Sequence, residues 1–324
     1  MPILVTGATG FIGHRLVERL RSEGRPVRCT VRSLPKAQDL RDLGAETVLC
    51  DITAGPGLGE AVQGVRSVIH LAGTVRAWGR RPYFDTNASG TRRLAEAAAA
   101  AGVERFLLVS SIAATGPGEP GRPVTEETPC RPVNPYGESK LLAEGELARH
   151  GGSMSWCVLR PCIVYGPWEK DFLVLFRMAA QRRRVPYVGP PEALISLIHV
   201  DDLDDLILAA LERAPSGRIY QASDGQAYSW SAIIGTMGRV IGRQVRPLRI
   251  PPLILWPLAV LTEGLRPFLA RPPLCCLHKL REAFERSWVS SPERARRDLG
   301  WFPRIGLEEG LRGTAAWYRT KGWL

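Results

Sequence analysis

The stretch that decides the fold is Pro2-Ile3-Leu4-Val5-Thr6-Gly7-Ala8-Thr9-Gly10-Phe11-Ile12-Gly13. Its first five residues form an apolar run that predicts a buried strand, and three glycines spaced three apart follow at once. Apolar positions at helical spacing continue the pattern: Ile12, Leu16, Val17 and Leu20. A glycine triplet alone is a weak signal. Placed between a first strand and a helix it favours a dinucleotide-binding turn, because glycines let the backbone approach a pyrophosphate and the helix N-terminus holds its charge.

Strands and helices alternate beyond this turn. We expect strands over 26–31, 46–50, 67–71, 106–109 and 156–160, and helices over 86–101 and from residue 135. This order predicts an α/β fold with a Rossmann doubly wound parallel sheet over 1–166. The stretch 196–225, beginning with Leu197 to Asp202, is expected to return to that sheet. Residues 167–195 and 226–324 would form a smaller, mostly helical substrate lobe.

The residues that follow the predicted strands are candidates for cofactor contact, because open parallel sheets bind ligands at the carboxyl ends of their strands. After the third and fourth strands these residues are Asp51, Ile52, Leu71, Ala72 and Gly73.

The second strand ends in Arg32, and no acidic residue precedes Asp39. An NAD-specific enzyme places an acidic residue against the adenosine ribose at this point, whereas an arginine suits a 2′-phosphate. NADP is therefore favoured and NAD stays an alternative. A surface arginine without a cofactor role is the other interpretation of Arg32.

A second stretch, Asn134 to Lys140 (NPYGESK), predicts the start of a helix, with Asn134 as N-cap and Pro135 at the first position. Tyr136 and Lys140 then lie one turn apart on the same face. A phenol titrates near pH 10 in water, but a fixed ammonium and the positive end of a helix dipole both favour the phenolate. The pair is a candidate acid/base. Two residues that merely share a helix face are the alternative.

The composition is that of a globular chain with an anionic partner. In 324 residues, 43 Lys and Arg stand against 32 Asp and Glu, a net charge of +11. A phosphorylated cofactor, a membrane surface or a nucleic acid would supply the opposite, negative charge. Basic residues are scattered, as in Arg182 to Arg184, and no nucleic-acid module is recognisable, so we expect no nucleic-acid partner.

The seven cysteines include no C-x-x-C, which argues against a disulfide framework or a zinc site. We interpret the vicinal pair Cys275-Cys276 as part of an apolar surface. His70 and His199 lack metal-ligand spacing, so no metal is expected. No signal peptide is expected either, and these features together predict a cytoplasmic protein.

The segment Ile250 to Leu261 (IPPLILWPLAVL) is wholly apolar or proline, with arginines on both sides. It is too short and too rich in proline to span a membrane as a helix. Two interpretations stay open: a lid or core segment, or a contact of 250–271 with the inner face of a membrane, in which the arginines reach anionic lipid.

An ordered set of motifs resembles the extended short-chain dehydrogenase/reductase family, which includes the NAD-dependent epimerase/dehydratases and the 3β-hydroxysteroid dehydrogenases. The motifs run from Thr6 to Asp202 and are T-G-A-T-G-F-I-G, D-I-T, H-L-A-G, V-S-S, Y-G-E-S-K, L-R-P-x-x-V-Y-G-P and H-V-D-D. The C-terminal segment Asp298 to Tyr318 is also similar to this group.

The resemblance implies roles for individual residues. Tyr136 would be the general base or acid, Lys140 would hold the nicotinamide ribose, and Ser111 would bind the substrate oxygen. Ser111 is preferred to Ser110 because it stands five residues before Gly116, the spacing usual in the family. Cofactor contacts would come from Gly7, Thr9, Gly10, Phe11, Ile12, Gly13, Arg32, Asp51, Ile52, Leu71, Ala72, Gly73, Tyr136, Lys140, Pro161, Ile163 and Val164. Asn87 stands where the family often has Asn, and either a helix-capping or a buried amide role would suit it.

One departure from the family bears on the substrate. Sugar-nucleotide epimerases and dehydratases usually carry Asn at the position of Ile163, where its amide contacts the nucleotide phosphates. The aliphatic residue resembles the hydroxysteroid dehydrogenase branch and indicates an apolar substrate, such as a sterol or isoprenoid alcohol or ketone. A sterol 4-carboxylate oxidised at the neighbouring carbon would also lose its carboxylate.

Two other functions are compatible with such a fold. A sugar-nucleotide epimerase or dehydratase is the alternative enzyme. A non-catalytic cofactor-binding subunit would have lost Tyr136 or Lys140, and both are present. The family also implies a homodimer through the helices near 86–101 and 135–149.

Overall fold

The computed structural model describes residues 1–264 and 277–324. Its strands are β1 Ile3–Thr6, β2 Val27–Val31, β3 Glu46–Leu49, β4 Ser67–His70, β5 Arg105–Val109, β6 Ser155–Pro161, β7 Ile163–Tyr165, β8 Arg184–Tyr187, β9 Leu194–Ile195, β10 Leu197–His199, β11 Arg218–Ala222, β12 Tyr228–Ser229, β13 Arg246–Arg249 and β14 Ser287–Trp288.

Its helices are α1 Phe11–Ser22, α2 Gln38–Asp42, α3 Leu58–Val62, α4 Arg81–Tyr83, α5 Gly90–Ala100, α6 Ile112–Thr115, α7 Pro135–His150, α8 Lys170–Gln181, α9 Val200–Arg213, α10 Trp230–Ile241, α11 Pro252–Gly264, α12 Leu277–Ala283, α13 Glu293–Leu299 and α14 Leu307–Thr320. A 3₁₀ turn, Pro35–Ala37, precedes α2, and a π-helical segment, Phe84–Ser89, leads into α5.

A seven-stranded parallel sheet forms the centre of the fold, in the order β11-β6-β5-β4-β1-β2-β3. The strand order reverses between β1 and β4, which are neighbours in the sheet but not in the chain. A doubly wound sheet opens a ligand crevice at this point. The Rossmann-type α/β fold expected from the alternating pattern is thus confirmed.

Helices cover both faces of this sheet. On one face Leu16 and Leu20 of α1 join Leu206 and Ile207 of α9 in a fully buried cluster. On the other face α3, α5 and α7 supply a second cluster that includes Leu94 and Leu147. Because both faces of the sheet are buried, the strand sequences are continuous apolar runs and do not alternate between apolar and polar residues.

The chain returns to the main sheet within 196–225, but not at the stretch from Leu197 that the sequence singled out. Leu197–His199 pairs with Ile163–Tyr165 in a separate two-stranded parallel sheet. The strand that joins the main sheet is instead Arg218–Ala222, next to β6. The stretch from Leu197 is short and its partner strand lies beyond the end of β6, so its apolar pattern alone could not distinguish the two sheets.

Small sheets and helices form the rest of the described chain. Strands β12, β9 and β14 form one sheet, β13 pairs with β8, and α8, α10 and α14 pack around Phe176, Met237 and Leu311. The division of the chain near residue 166 into a cofactor domain and a substrate lobe stays a prediction.

Helix α11 covers most of the apolar segment that the sequence singled out. Leu255 and Ala259 are buried against Leu280 of α12, while the opposite side of the helix is exposed. Within the described residues no helix is both long and apolar enough to cross a bilayer. Residues 265–271 of the predicted membrane contact, and the pair Cys275-Cys276, lie outside the described residues.

Candidate active site

The glycine turn between β1 and α1 leaves no room for side chains. Gly7 has a φ of +72°, and a Cβ built on it would lie 2.7 Å from the backbone nitrogen of Ala72. A Cβ on Gly13 would lie 2.4 Å from the carbonyl oxygen of Gly7. Both distances are below any real contact, so the turn and the end of β4 approach as backbone against backbone.

The N-terminus of α1 is open to an anion. Its N-cap, Gly10, provides no side-chain acceptor, and no acidic residue stands in the first turn. By contrast, Asn134 caps α7 and Ser229 caps α10 through their side chains. The backbone amides in the first turn of α1, including those of Phe11 and Ile12, therefore remain available to a phosphate. The predicted dinucleotide-binding residues fit such a cofactor.

His70 fixes the strand end beside this turn. Its Nδ1 lies 2.6 Å from the Oγ1 of Thr6, and its Nε2 lies 3.0 Å from the Oγ1 of Thr91. The Thr6 hydroxyl also accepts a hydrogen bond from the amide of Ala72 at 3.2 Å. Burial, with a smaller effect of the nearby Lys140 charge, lowers the pKa of His70 to about 3. His70 is thus a neutral structural residue that connects β1, β4 and α5.

Lys140 is buried at the meeting point of α7 and β5. Its Nζ donates to the carbonyl oxygen of Val109 at 2.9 Å. Burial lowers its pKa to about 8, although Glu144 opposes the shift. A Cβ built on Gly73 would lie 3.3 Å from this Nζ, so the ammonium group adjoins the predicted cofactor residues after β4.

Tyr136 lies in the first turn of α7, half-buried, with its ring centroid 6.3 Å from that of Tyr83. The next residue, Gly137, allows α6 to approach, because a Cβ there would lie 2.2 Å from the carbonyl oxygen of Ala113. Ser111 is the N-cap of that same short helix, and its Oγ accepts a hydrogen bond from the Ala113 amide at 3.1 Å. The packing of α6 on α7 therefore brings the helix that Ser111 caps against the first turn of α7, where Tyr136 lies.

The two neighbouring serines have different roles. Ser110 is buried and donates to the Oε1 of Glu144 at 2.5 Å. Ser111 is half-exposed, and its hydroxyl keeps a proton to donate. The role of Ser111 as the substrate-binding serine stays a prediction.

A buried ion pair lies beneath the site. The guanidinium of Arg160, at the end of β6, donates twice to Glu144, from Nε to Oε1 at 3.0 Å and from Nη2 to Oε2 at 2.6 Å. Its Nη1 donates to Thr115, which also accepts from Gln221. We did not predict this network from the sequence. The one available signal was that Glu144 stands one helical turn beyond Lys140 on the same face.

Of the two roles expected for Asn87, helix cap or buried amide, the structure shows the buried amide. Its Nδ2 donates to Ser139 at 2.8 Å and its Oδ1 accepts from the amide of Thr74 at 2.7 Å. Ser139 in turn donates to the carbonyl oxygen of Tyr136. The amide thereby fixes both the start of α7 and the loop after Gly73.

The remaining predicted cofactor residues lie at the carboxyl edge of the sheet. Arg32 is exposed after β2, while Asp51 accepts hydrogen bonds from the amide and hydroxyl of Thr53. These bonds, and more weakly the charge of Arg32, lower the pKa of Asp51. Ile52 is buried against Gly90. Pro161 ends β6, whereas Ile163 and Val164 belong to β7 and are half-buried.

No cluster of potential metal ligands occurs within 1–264 or 277–324. His199 instead caps α9 by accepting from the amide of Asp201.

A family model described as the NAD dependent epimerase/dehydratase family matches residues 3–223. The chain belongs to this family. It is also 32% identical over 324 residues to the ceramide reductase of Caulobacter vibrioides, covering 99% of this chain and 96% of the relative. Sterol demethylase protein B of Methylococcus capsulatus is 27% identical over 333 residues, with 99% of each chain covered.

Among solved structures, the protein MoeE5 in complex with UDP-glucuronic acid and NAD superimposes with a TM-score of 0.80 at 28% identity. The match covers 99% of this chain and 100% of that one. The chain is therefore an NAD-dependent enzyme of the epimerase/dehydratase family, with the extended short-chain dehydrogenase/reductase fold. Its relatives and neighbours include both reductases of lipids and enzymes of sugar nucleotides.

Proposed function

We propose that this protein is an NAD(P)-dependent oxidoreductase that interconverts a secondary alcohol and a ketone on an apolar, lipid-type substrate such as a sterol, an isoprenoid or a ceramide. The observation that carries the proposal is Ile163, an aliphatic side chain on β7 where sugar-nucleotide enzymes of the family usually present an amide. The relatives named for ceramide and sterol chemistry support the same substrate class.

The residues of the site suit this chemistry. A bound nicotinamide supplies the hydride acceptor or donor. In the oxidation Tyr136 takes the proton of the alcohol, and in the reduction it returns that proton to the ketone oxygen. Ser111 donates a hydrogen bond to the same oxygen and orients it. Lys140, held by Val109, keeps a positive charge beside the site that favours the phenolate form of Tyr136.

NADP is the cofactor that we propose, because Arg32 follows β2 where an acidic residue would select NAD. The exposed guanidinium is free to meet a 2′-phosphate. NAD binding is attested for the neighbouring MoeE5 complex, so NAD is the alternative.

The lipid character of the substrate also bears on location. A sterol or ceramide partitions into membranes, so we propose a cytoplasmic enzyme that works at the inner face of a membrane.

If the substrate carries a carboxylate β to the new ketone, its loss as carbon dioxide would follow, since the ketone accepts the electron pair. The homodimer through α5 and α7 stays a prediction.

The second candidate is a sugar-nucleotide epimerase or dehydratase, favoured by the likeness to the MoeE5 complex. Differential scanning calorimetry of the purified protein distinguishes the two functions. We would compare NADP, NAD, a 3β-hydroxysterol, a 3-oxoceramide and a uridine diphosphate sugar, and then follow nicotinamide absorbance with each stabilising pair. A nicotinamide cofactor with a lipid that both stabilises and turns over is the expected result. Stabilisation and turnover with the sugar nucleotide alone would replace our proposal by the epimerase.

A further inference from the structure

Helix α11 presents an apolar face to solvent. Leu253 is 84% exposed, and Ile254, Val260 and Leu261 are each more than half exposed. Trp256 shows 40% of its surface. At about 3.6 residues per turn these side chains share roughly half of the helix circumference, opposite the buried Leu255 and Ala259. A continuous apolar patch of this kind on a globular protein indicates a binding surface.

A basic ribbon leads into this helix, and its ends pack against the helix through Val188 and Ile250. Strands β13 and β8 pair in parallel, with Arg246 beside Arg184, and β13 leads directly into α11. Six exposed arginines belong to the ribbon and its flanks, namely Arg182, Arg183, Arg184, Arg243, Arg246 and Arg249. No acidic residue occurs in 182–189 or in 243–262. The stretches 182–189 and 243–262, which include the ribbon and the apolar part of α11, therefore carry positive charge and no negative charge.

The face lies close to the proposed active site. Helix α11 packs on α12 through Leu280, and the rings of Trp256 and Phe284 stack with their centroids 6.4 Å apart. Glu282 of α12 accepts a hydrogen bond at 3.2 Å from the Nδ2 of Asn134, the residue that caps the helix carrying Tyr136. Among the described residues, α12 thus contacts both the exposed apolar helix and the cap of α7.

We propose that the exposed face of α11 and the basic ribbon bind the surface of an anionic lipid bilayer. Exposed aliphatic and Trp side chains enter the interface between headgroups and acyl chains, while neighbouring arginines pair with lipid phosphates. A two-fold dimer through this face would place arginines against arginines, which disfavours a second copy as the occupant. A nucleic acid would match the charge but would leave the apolar side chains in water.

Because this surface lies near the proposed active site, it has a role in access to the substrate, and this role rests on the proposed function. Binding through α11 would hold the proposed active site close to the bilayer in which a lipid-type substrate is dissolved.

Vesicle co-sedimentation tests the binding surface without any turnover. The wild-type chain would be mixed with phosphatidylcholine vesicles that contain or lack phosphatidylglycerol. Variant L253S/V260S removes two exposed apolar side chains, and variant R184E/R246E reverses the charge of a cross-strand pair. Variant L49S, which changes an exposed leucine on β3, is the matched control.

We expect the wild type and L49S to bind anionic vesicles at least tenfold more tightly than L253S/V260S. Charge reversal should abolish the preference for phosphatidylglycerol. Unchanged thermal unfolding would show that the variants are folded. Wild-type binding to neither vesicle, equal binding by L253S/V260S, or a dimer that this variant dissociates would each overturn the proposal. A result for vesicle binding is independent of turnover, so failure of the proposed reaction would be seen separately.

Discussion

Lys140 donates from its buried ammonium group to the carbonyl oxygen of Val109, at 2.9 Å. This bond joins α7, the helix that carries Tyr136, to the last residue of β5, two residues before Ser111. The contact therefore ties α7 to the strand end that leads to the predicted substrate-binding serine. Burial at the same point lowers the pKa of Lys140 to about 8.

Substitution Tyr136→Phe should reduce turnover by at least about 10²-fold, because the site loses its proton donor and acceptor. The phenol oxygen is removed and the ring remains, so cofactor binding should persist. Steady-state kinetics with calorimetric titration of the cofactor would measure both. Turnover at the wild-type rate would refute the role of Tyr136, and Tyr83→Phe serves as the nearby control.

Substitution Lys140→Met should abolish most turnover and change how stability depends on pH. The folded pKa of about 8 lies below the ordinary value of 10.5, so between these pH values the unfolded chain binds more protons. Wild-type stability should therefore gain from this group as pH rises from about 8 to 10.5, and the variant should lack that gain. Urea unfolding across this range would measure it. An identical pH slope in both proteins would contradict the assignment.

Substitution His70→Gln should make the protein less sensitive to acid. The buried imidazole has a pKa of about 3 in the folded state, against 6.5 in the unfolded chain. Since the unfolded state binds the extra proton, stability is lost as pH falls below 6.5, by about 2 kcal/mol at pH 5. The variant should lose that much less between pH 7 and pH 5 in urea unfolding. An equal loss in both proteins over this pH range would contradict the assignment of a buried neutral imidazole.

Substitution Gly13→Ala should abolish cofactor binding, because its Cβ would lie 2.4 Å from the Gly7 carbonyl oxygen. The turn must shift and its amides would no longer face a phosphate. Gly59→Ala is the control, since a Cβ there meets nothing within 4 Å. Isothermal titration with NADP and NAD would compare them, and wild-type affinity in Gly13→Ala would count against the proposed cradle.

Removing one partner of the Glu144–Arg160 pair should destabilise the fold by about 3 kcal/mol or more, because an unpaired charge would remain buried. We expect Glu144→Leu and Arg160→Met, made singly, each to lower the urea midpoint strongly. The double variant Glu144→Leu with Arg160→Met should recover part of that loss, since no buried charge is left. If the double variant loses as much free energy of unfolding as the two single variants together, the two residues do not act as a pair.

Substitution Arg32→Asp should lower NADP affinity at least tenfold and leave NAD affinity nearly unchanged. The new carboxylate would repel a 2′-phosphate, which only NADP carries. Competitive titration of both cofactors gives the ratio. If the preference does not change, Arg32 has no part in cofactor selection.

Local chemistry in the sequence was sufficient for the fold class and for the position of Tyr136 and Lys140 on one helix. A strand followed by closely spaced glycines and a helix has few other stable outcomes, because those glycines are needed only where backbone packs against backbone. Asn134 and Pro135 likewise specify a helix start on their own, and Tyr136 and Lys140 follow at a spacing that any α-helix would place on one face. These features are short-range, so they appear in the order of the residues.

Tertiary packing alone decided the rest. The bonds of Lys140 to Val109 and of Glu144 to Arg160 join residues 31 and 16 positions apart. The bond by which Ser110, and not Ser111, donates to Glu144 is likewise visible only in the folded chain. Nothing local distinguishes Leu197–His199 from a strand of the main sheet, and the single buried side of α11 is set by α12. Such contacts depend on which elements become neighbours, and a one-dimensional pattern does not record that.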